Sequence, residues 1–423
     1  MRAAREGAEH EHASQDRSCR QGVRPHDASV VLPEAVSATR GGRTLPRMSS
    51  PVLPPGHRVV VPSFAESPLD GVASATLEPM EAPDPKTLAP GDVIVAVKSA
   101  AVGWVDLLMT SGQYQHMAKP PYTPGLESAG TIVWAGPEAK NASVGADVIV
   151  DGFLAGPRSL GAYQRWGGFA TYVVAPSSAA VPMPRGLSHD QAAALLGSYE
   201  TAYHCLVTRG RVQAGETVLI HGASGATGLA AVQIAKLLGA RVIATGRSEA
   251  KLAEVKREGA DDVIVLRTTQ GALGESGELQ PFRDEIKALT NGRGVDVVYD
   301  GVGGDISLES LRCVKFGARF LIVGWASTPD VAKGKGERGA PRANHIPTNL
   351  VMMKGLDVLG CPTAISTAMD PASRPPRLKQ ILAWGNEGKL VPRVSHTFAL
   401  ADFKDAMIAK WNGEVLGGCV LHP

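Results

Sequence analysis

Thr217-Val-Leu-Ile-His-Gly222-Ala-Ser-Gly225-Ala-Thr-Gly228-Leu-Ala-Ala-Val-Gln233 decides the fold of this chain. Four apolar or β-branched residues run into a turn with glycines at three-residue spacing, and an apolar-faced helix follows. Glycine lets the backbone turn sharply and approach a pyrophosphate. The helix behind the turn aims free N–H groups and the positive end of its dipole at that phosphate, and the third glycine allows helix and strand to pack closely. The spacing is G-x-x-G-x-x-G rather than the commoner G-x-G-x-x-G. Its strand–turn–helix setting, with a second strand at Arg241–Thr245, is the context a dinucleotide site requires. Gly222, Ser224, Gly225, Ala226, Thr227 and Gly228 are therefore expected to cradle the phosphates.

Working outward, strands and helices alternate. Helices are expected at Asp190–Leu206, Gly228–Leu238, Glu249–Arg257, Arg283–Thr290 and Ile306–Lys315. Strands are expected at Thr217–Ile220, Arg241–Thr245, Asp262–Leu266, Val295–Tyr299 and Ala318–Val323. This order predicts a parallel sheet with helices on both faces. At the end of the second strand an NAD site usually carries a carboxylate for the ribose hydroxyls. Here Thr245, Gly246, Arg247 and Ser248 include no acid, and Lys251 follows. A hydroxyl and two cations suit an added ribose 2′-phosphate, so the cofactor expected is NADPH.

Before this region, from His57 to Pro184, short β runs (Asp92–Val97, Ala129–Val133, Ala146–Val150, Phe169–Val174) lie between Pro and Gly punctuation, which predicts a small barrel-like domain. After it, from about Ile346, short strands return with a helix at Ala401–Lys410. Residues 268–280 and the basic stretch 332–342 read as surface loops.

Composition sets limits. The 423 residues carry 43 Lys and Arg against 41 Asp and Glu, which offers no nucleic-acid footprint. No apolar run reaches the length of a membrane span. Five scattered cysteines fit a reducing compartment better than a disulfide framework. Residues 1–47 hold eight Arg, six acids and no aromatic residue, the composition of a disordered leader. Arg enrichment admits an organelle transit peptide, the acids argue against one, and initiation at Met48 is a third reading. The expected location is cytoplasmic unless residues 1–47 act as a targeting signal.

The chain resembles the zinc-free quinone oxidoreductase branch of the medium-chain dehydrogenase/reductase superfamily from His57 to Pro423. The segments that carry the resemblance are Ala100-Ala-Val-Gly-Trp-Val-Asp-Leu-Leu-Met-Thr-Ser-Gly-Gln-Tyr114, Thr123-Pro-Gly-Leu-Glu-Ser-Ala-Gly130, Thr201-Ala-Tyr203 and the Gly222–Gly228 loop. They continue with Gly294-Val-Asp-Val-Val-Tyr-Asp-Gly-Val-Gly303, Phe316-Gly-Ala-Arg-Phe-Leu-Ile-Val-Gly324 and Glu387-Gly-Lys-Leu-Val-Pro-Arg-Val-Ser-His396. The resemblance implies an α/β fold in which a doubly wound Rossmann sheet is inserted into a GroES-like β-barrel domain. The division expected is leader 1–56, first part of the GroES-like substrate domain 57–184, NADPH-binding domain 185–334, and completion of the GroES-like domain 335–423. It also implies a homodimer and a small quinone or enone as substrate.

Zinc members of the superfamily carry a ligand His in a Gly-His-Glu triplet. Here the triplet is Gly125-Leu126-Glu127, residues 100–106 contain no Cys, and none occurs from Arg20 to His204. No metal site is expected. What remains is hydride transfer from NADPH to a quinone or an α,β-unsaturated carbonyl. Tyr114 is the candidate catalytic residue. The resemblance places Thr201, Gly301, Val302, Val323, Gly324 and Trp325 along the cofactor. Tyr203 is as well explained as core, His221 is read as a core histidine at the strand end, and Asp106 and Glu127 are read as structural hydrogen-bonding groups. Gly103 stands where many relatives have Asn, and after the third strand, where relatives often place a Tyr that helps hold the 2′-phosphate, this chain has Arg267, which is able to substitute. The alternatives are a 2-enoyl-thioester reductase, for which the stretch 333–342 is the candidate entry patch, and a non-catalytic NADPH-binding protein.

Overall fold

The computed structural model describes residues 53–114, 118–159, 161–272, 277–327 and 345–423. The leader up to residue 52, most of the first expected segment, therefore lies outside the described residues, as does the basic stretch 332–342. Among the described residues no helix is long and apolar enough to cross a membrane.

The first part of the chain supplies β1 (Gly56–Val60), β2 (Thr76–Met80), β3 (Asp92–Ala101), β4 (Glu127–Ala135), β5 (Asp147–Val150), β6 (Tyr172–Pro176) and β7 (Ala180–Pro182). β3, β4, β5 and β7 pair antiparallel in that order, and β6 adds to β3. Val93, Val95, Ile132, Val148, Phe169 and Val173 fill the interior of this GroES-like domain.

The alternating region supplies β8 (Thr217–Ile220), β9 (Arg241–Gly246), β10 (Asp262–Val265), the short pair β11 (Arg267–Thr268) and β12 (Gly271–Ala272), β13 (Val295–Asp300), β14 (Val314–Ile322) and β15 (Asp357–Gly360). The parallel sheet runs β10-β9-β8-β13-β14-β15, the Rossmann strand order. Val218, Ile220, Val242, Val297 and Tyr299 bury one face of it against helices, and Leu219, Ile243, Val298 and Phe320 bury the other. Strands buried on both faces read as continuous apolar runs for this reason.

Three expectations change. Strand β15 lies beyond residue 335 yet pairs in parallel with β14, Phe320 opposite Val358. The assignment of all of 335–423 to the β domain is therefore corrected: that domain is completed by β16 (Val394–Ala399) and β17 (Gly418–His422), with β17 pairing antiparallel to β3. Four residues of β15 are too short a run to be assigned to a sheet from their pattern. Next, the helix expected to reach Lys315 stops at Ser310. β14 starts at Val314 and bulges between Val314 and Arg319, around Gly317 with φ +73°. Last, the helix expected over Asp190–Leu206 is three pieces, His189–Ala193, Leu196–Tyr203 and a wider π-helical turn over His204–Arg209.

Candidate active site

In the Rossmann order the strand sequence reverses between β8 and β13, and ligands bind in the crevice this opens at the strand ends. Both bordering loops are glycine-built. After β8, Gly222 takes φ +63°, a conformation that disfavours side chains, and its carbonyl accepts the Gly225 N–H at 3.0 Å. Gly225 is the N-cap of the helix Ala226–Leu237 and offers no capping side chain, so the cap residue itself supplies no side-chain acceptor to the first-turn N–H groups. A Cβ on Gly228 would lie 2.3 Å from the Gly222 carbonyl oxygen and 2.7 Å from Ala223 Cα. The third glycine thus allows helix and turn to touch, as its position suggests. This cradle fits a pyrophosphate.

After β13, Asp300 organises the second loop. One carboxylate oxygen accepts the N–H groups of Val302 and Gly303 at 2.9 Å each, and the other accepts the Ser307 hydroxyl. The Asp300 carbonyl takes the Val323 and Gly324 N–H groups at 2.8 and 3.2 Å, and the Gly301 carbonyl takes that of Ala326 at 3.2 Å. Gly301, Val302, Val323, Gly324 and the partly exposed Trp325 are thereby gathered at one edge of the sheet. A Cβ on Gly222 would lie 3.1 Å from Val302 Cγ2, so the two loops abut. Sequence reasoning named the loop residues and missed Asp300, whose signal is an acid ending an apolar strand.

At the end of β9, Gly246 leads into Arg247, and the Ser248 hydroxyl caps the helix Glu249–Arg257 by accepting the Lys251 N–H at 3.4 Å. Arg247 is exposed. Lys251 donates its ammonium to the Gly413 carbonyl. Burial and the neighbouring Arg247 charge lower its pKa, against the pull of Glu414. Two cations beside each other form a site that an anion would relieve. Arg267, on β11, is exposed as well.

Across the crevice, Asp106 ties the β domain together. One oxygen accepts the Gly125 and Leu126 N–H groups at 3.0 and 3.1 Å, and the other accepts that of Gly103 at 2.9 Å. Burial raises its carboxyl to about 6 against those three bonds. A Cβ on Gly103 would lie 3.0 Å from this carboxylate, which accounts for the missing side chain there. Leu126 is buried in the apolar interior. Among the described residues no group of three His, Cys, Asp or Glu is placed to hold a metal ion, and Leu126 offers no donor; the residues do not fit a catalytic zinc.

Glu127 behaves differently from Asp106. Its Oε1 is sealed from solvent without a well-formed hydrogen bond, against the Gly197 backbone, and sits where a Cβ of Gly197 would be, 1.8 Å from that point. Gly197 lies one helical turn before the half-buried Thr201, on the same face. Burial pushes the Glu127 carboxyl up to about 7, against the pull of Arg158. A carboxyl whose folded pKa exceeds its unfolded value holds its proton longer when folded, so its contribution to stability falls as pH rises from about 4.5 to about 7. Glu127→Gln is expected to flatten the decline in melting temperature between pH 5 and pH 8; an unchanged decline would place the titrating group elsewhere.

Tyr114 is half-buried and packs on the rim of the β-domain core. Tyr203 packs against Trp384, ring centroids 5.9 Å apart, a core position. His221 is buried, with ring nitrogens 2.7 Å from Thr245 Oγ1 and 2.7 Å from Ser310 Oγ; burial lowers it to about 4, and it has no opening to the crevice. A stacked indole pair that sequence reasoning missed, Trp104 and Trp411 with centroids 5.3 Å apart, joins the helix after β3 to the C-terminal helix Phe403–Trp411.

Comparison with known proteins gives the geometry a family. Residues 89–185 match the alcohol dehydrogenase GroES-like domain, and residues 226–371 match the zinc-binding dehydrogenase domain. The quinone oxidoreductase-like protein 2 homolog of Nematostella vectensis is 32% identical over 76% of this chain and 79% of its own. The chain belongs to the quinone oxidoreductase branch of the medium-chain dehydrogenase/reductase superfamily. Among solved structures of this superfamily, the quinone oxidoreductase of Pseudomonas syringae pv. Tomato DC3000 is 26% identical with a TM-score of 0.67, covering 87% of this chain and all of that one. The Escherichia coli quinone oxidoreductase, solved with NADPH, shares the fold at a TM-score of 0.68 and 22% identity, over 87% of this chain and all of that one.

Proposed function

We infer that this oxidoreductase uses NADPH to reduce a flat conjugated acceptor, a quinone or an α,β-unsaturated carbonyl, with no metal in the step. The observation that carries the reading is the end of β9: no carboxylate where an NAD site needs one, and Arg247 and Lys251 both set against Gly413. The names of the quinone oxidoreductase-like relatives and the NADPH in the Escherichia coli structure support it. Reduced nicotinamide supplies the hydride. The chain's part is to hold the phosphates on the Gly222–Gly228 turn, fix the ring end against Gly324 and Thr201, and keep water out; orientation carries most of such a transfer. Tyr114 is assigned the hydrogen bond to the acceptor oxygen.

An NADPH-oxidation screen over quinones, alkenals and enones tests the reading, with turnover expected for at least one class. NADPH binding with no turnover on any of them would leave a nucleotide-binding protein instead. Tyr114→Phe is expected to lower kcat by roughly 10- to 100-fold, the scale of a lost proton-donating contact, while the Kd for NADPH stays unchanged; a matching change in Kd would make the residue structural. The expected homodimer has support at the open edge of β15. Phe316 at the start of β14, and Met352 and Met353 on the helix Thr348–Lys354 that leads into β15, are 78%, 74% and 65% exposed, apolar side chains of the kind that subunits cover. Light scattering is expected to return twice the 44.2 kDa chain mass.

A further inference from the structure

The segment that follows the last helix crosses from the β domain onto the nucleotide-binding side. At its far end Gly417 donates its N–H to the Ser224 carbonyl at 2.8 Å and bridges to Gly225. At its near end Gly413, with φ +69°, lies under the Arg247 guanidinium: a Cβ there would be 2.3 Å from Nη2. Lys251 is held by the Gly413 carbonyl, and Asn412 holds the adjacent Glu414 through its amide at 3.1 Å. One short stretch therefore touches both the glycine turn and the two cations.

We propose that Gly413 is a specificity-determining residue for the ribose phosphate: its bare backbone makes room for Arg247 and its carbonyl anchors Lys251, so the β domain sets the cation pair. This rests on the NADPH reading above. The Arg247 head group is the far end of a flexible chain, so a methyl group at Gly413 displaces it, at the further cost of a side chain at φ +69°, which the Asn variant controls for. The pair is then splayed, and the phosphate loses one charge-assisted partner. Arg247 and Lys251 reach the phosphate from the nucleotide-binding domain, and the loop that aligns them comes from the other.

The test is calorimetric binding of adenosine 2′,5′-bisphosphate and of 5′-ADP to the full chain, which needs no turnover. The wild type is expected to prefer the bisphosphate by roughly 10-fold or more, the scale of a charge-assisted hydrogen bond. Gly413→Ala is expected to bring the ratio to about 1–2 by the loss of that bond, with 5′-ADP affinity retained. Gly413→Asn, which tolerates a left-handed backbone, is expected to lose the preference equally; retention of the preference by the Asn variant alone would trace the loss to backbone strain and overturn the proposal. In an Arg247→Ala background Gly413→Ala is expected to add nothing, since coupled residues do not add, and a full additional loss there overturns it. An unchanged ratio in both Gly413 variants overturns the proposal while leaving the NADPH reading intact. A wild type that binds the two probes equally removes that reading and the proposal together.

Discussion

Arg374→Ala is expected to destabilise the protein by about 3–5 kcal/mol, the cost of leaving buried charges without a partner. Arg374, at the start of the helix Arg374–Asn386, donates to both oxygens of Asp151 at 2.6 and 2.9 Å, and to Glu200 at 2.7 Å. Arg377, on the same helix, gives Glu200 a second partner at 3.0 Å. All four side chains are buried. Asp151 follows β5 of the GroES-like domain, Glu200 lies in the helix that carries Thr201, and the arginines come from the segment after β15. The network balances two positive and two negative charges and joins the two halves of the molecule. Arg374 also covers the Phe153 ring at 4.5 Å, while Arg158 lies over it at 4.0 Å. Removing Arg374 leaves one acid unpaired and the other half paired, in a place water does not reach. The urea midpoint is the measurement, with a drop of roughly 1–2 M expected from the usual slope. Adding Asp151→Asn to the variant is expected to restore part of the loss, because the acid left without a counter-charge is gone while Glu200 keeps Arg377. No recovery would show that packing of the arginine stem, rather than charge, carries the effect.

Gly228→Ala is expected to have the largest effect on cofactor binding. Its Cβ would meet the Gly222 carbonyl oxygen at 2.3 Å and Ala223 Cα at 2.7 Å, and both are backbone atoms of the turn itself. The helix must back away, and its N–H groups then leave the place proposed for the cofactor phosphate. An affinity loss of roughly 100-fold for NADPH, equivalent to about 3 kcal/mol, is expected together with an overpacking cost of about 1–3 kcal/mol in stability. Gly225→Ala is the control. A Cβ there meets only the Gly222 carbonyl oxygen, at 3.4 Å, an ordinary contact, so its stability is expected to match the wild type. Equal destabilisation by the two variants would contradict the close approach of helix and turn at Gly228.

The phosphate cradle is legible in the sequence because it is local: a strand, a turn and a helix within seventeen residues, each specified by its own residue types. The missing carboxylate at the end of β9 is equally local. Asp300 was open to the same reading, since an acid closing an apolar strand ahead of Gly301-Val-Gly303 marks a pinned loop. Gly197 carried a signal too: a glycine inside a helical run points to a close approach, and the group that approaches is Glu127. Strand β15, by contrast, has four residues and an ordinary pattern, and its partner β14 precedes it by thirty-five residues. Pairing over that distance leaves no mark on the local pattern, so among the described residues of 335–423 the strand Asp357–Gly360 alone departs from the expected sheet, while β16 and β17 lie in it.

From residues alone come the alternation that makes a parallel sheet, the glycine turn with its helix, the cations after β9 and the apolar Leu126 between Gly125 and Glu127. Each of these is a property of neighbours in the chain. Tertiary structure alone decided that Gly413 lies against Arg247 and Lys251, that Glu127 fills the space beside Gly197, and that Arg374 joins Asp151 to Glu200. In each case the groups are far apart in sequence. Their energies depend on burial and charge at the meeting point, which the chain acquires only when both domains are in place.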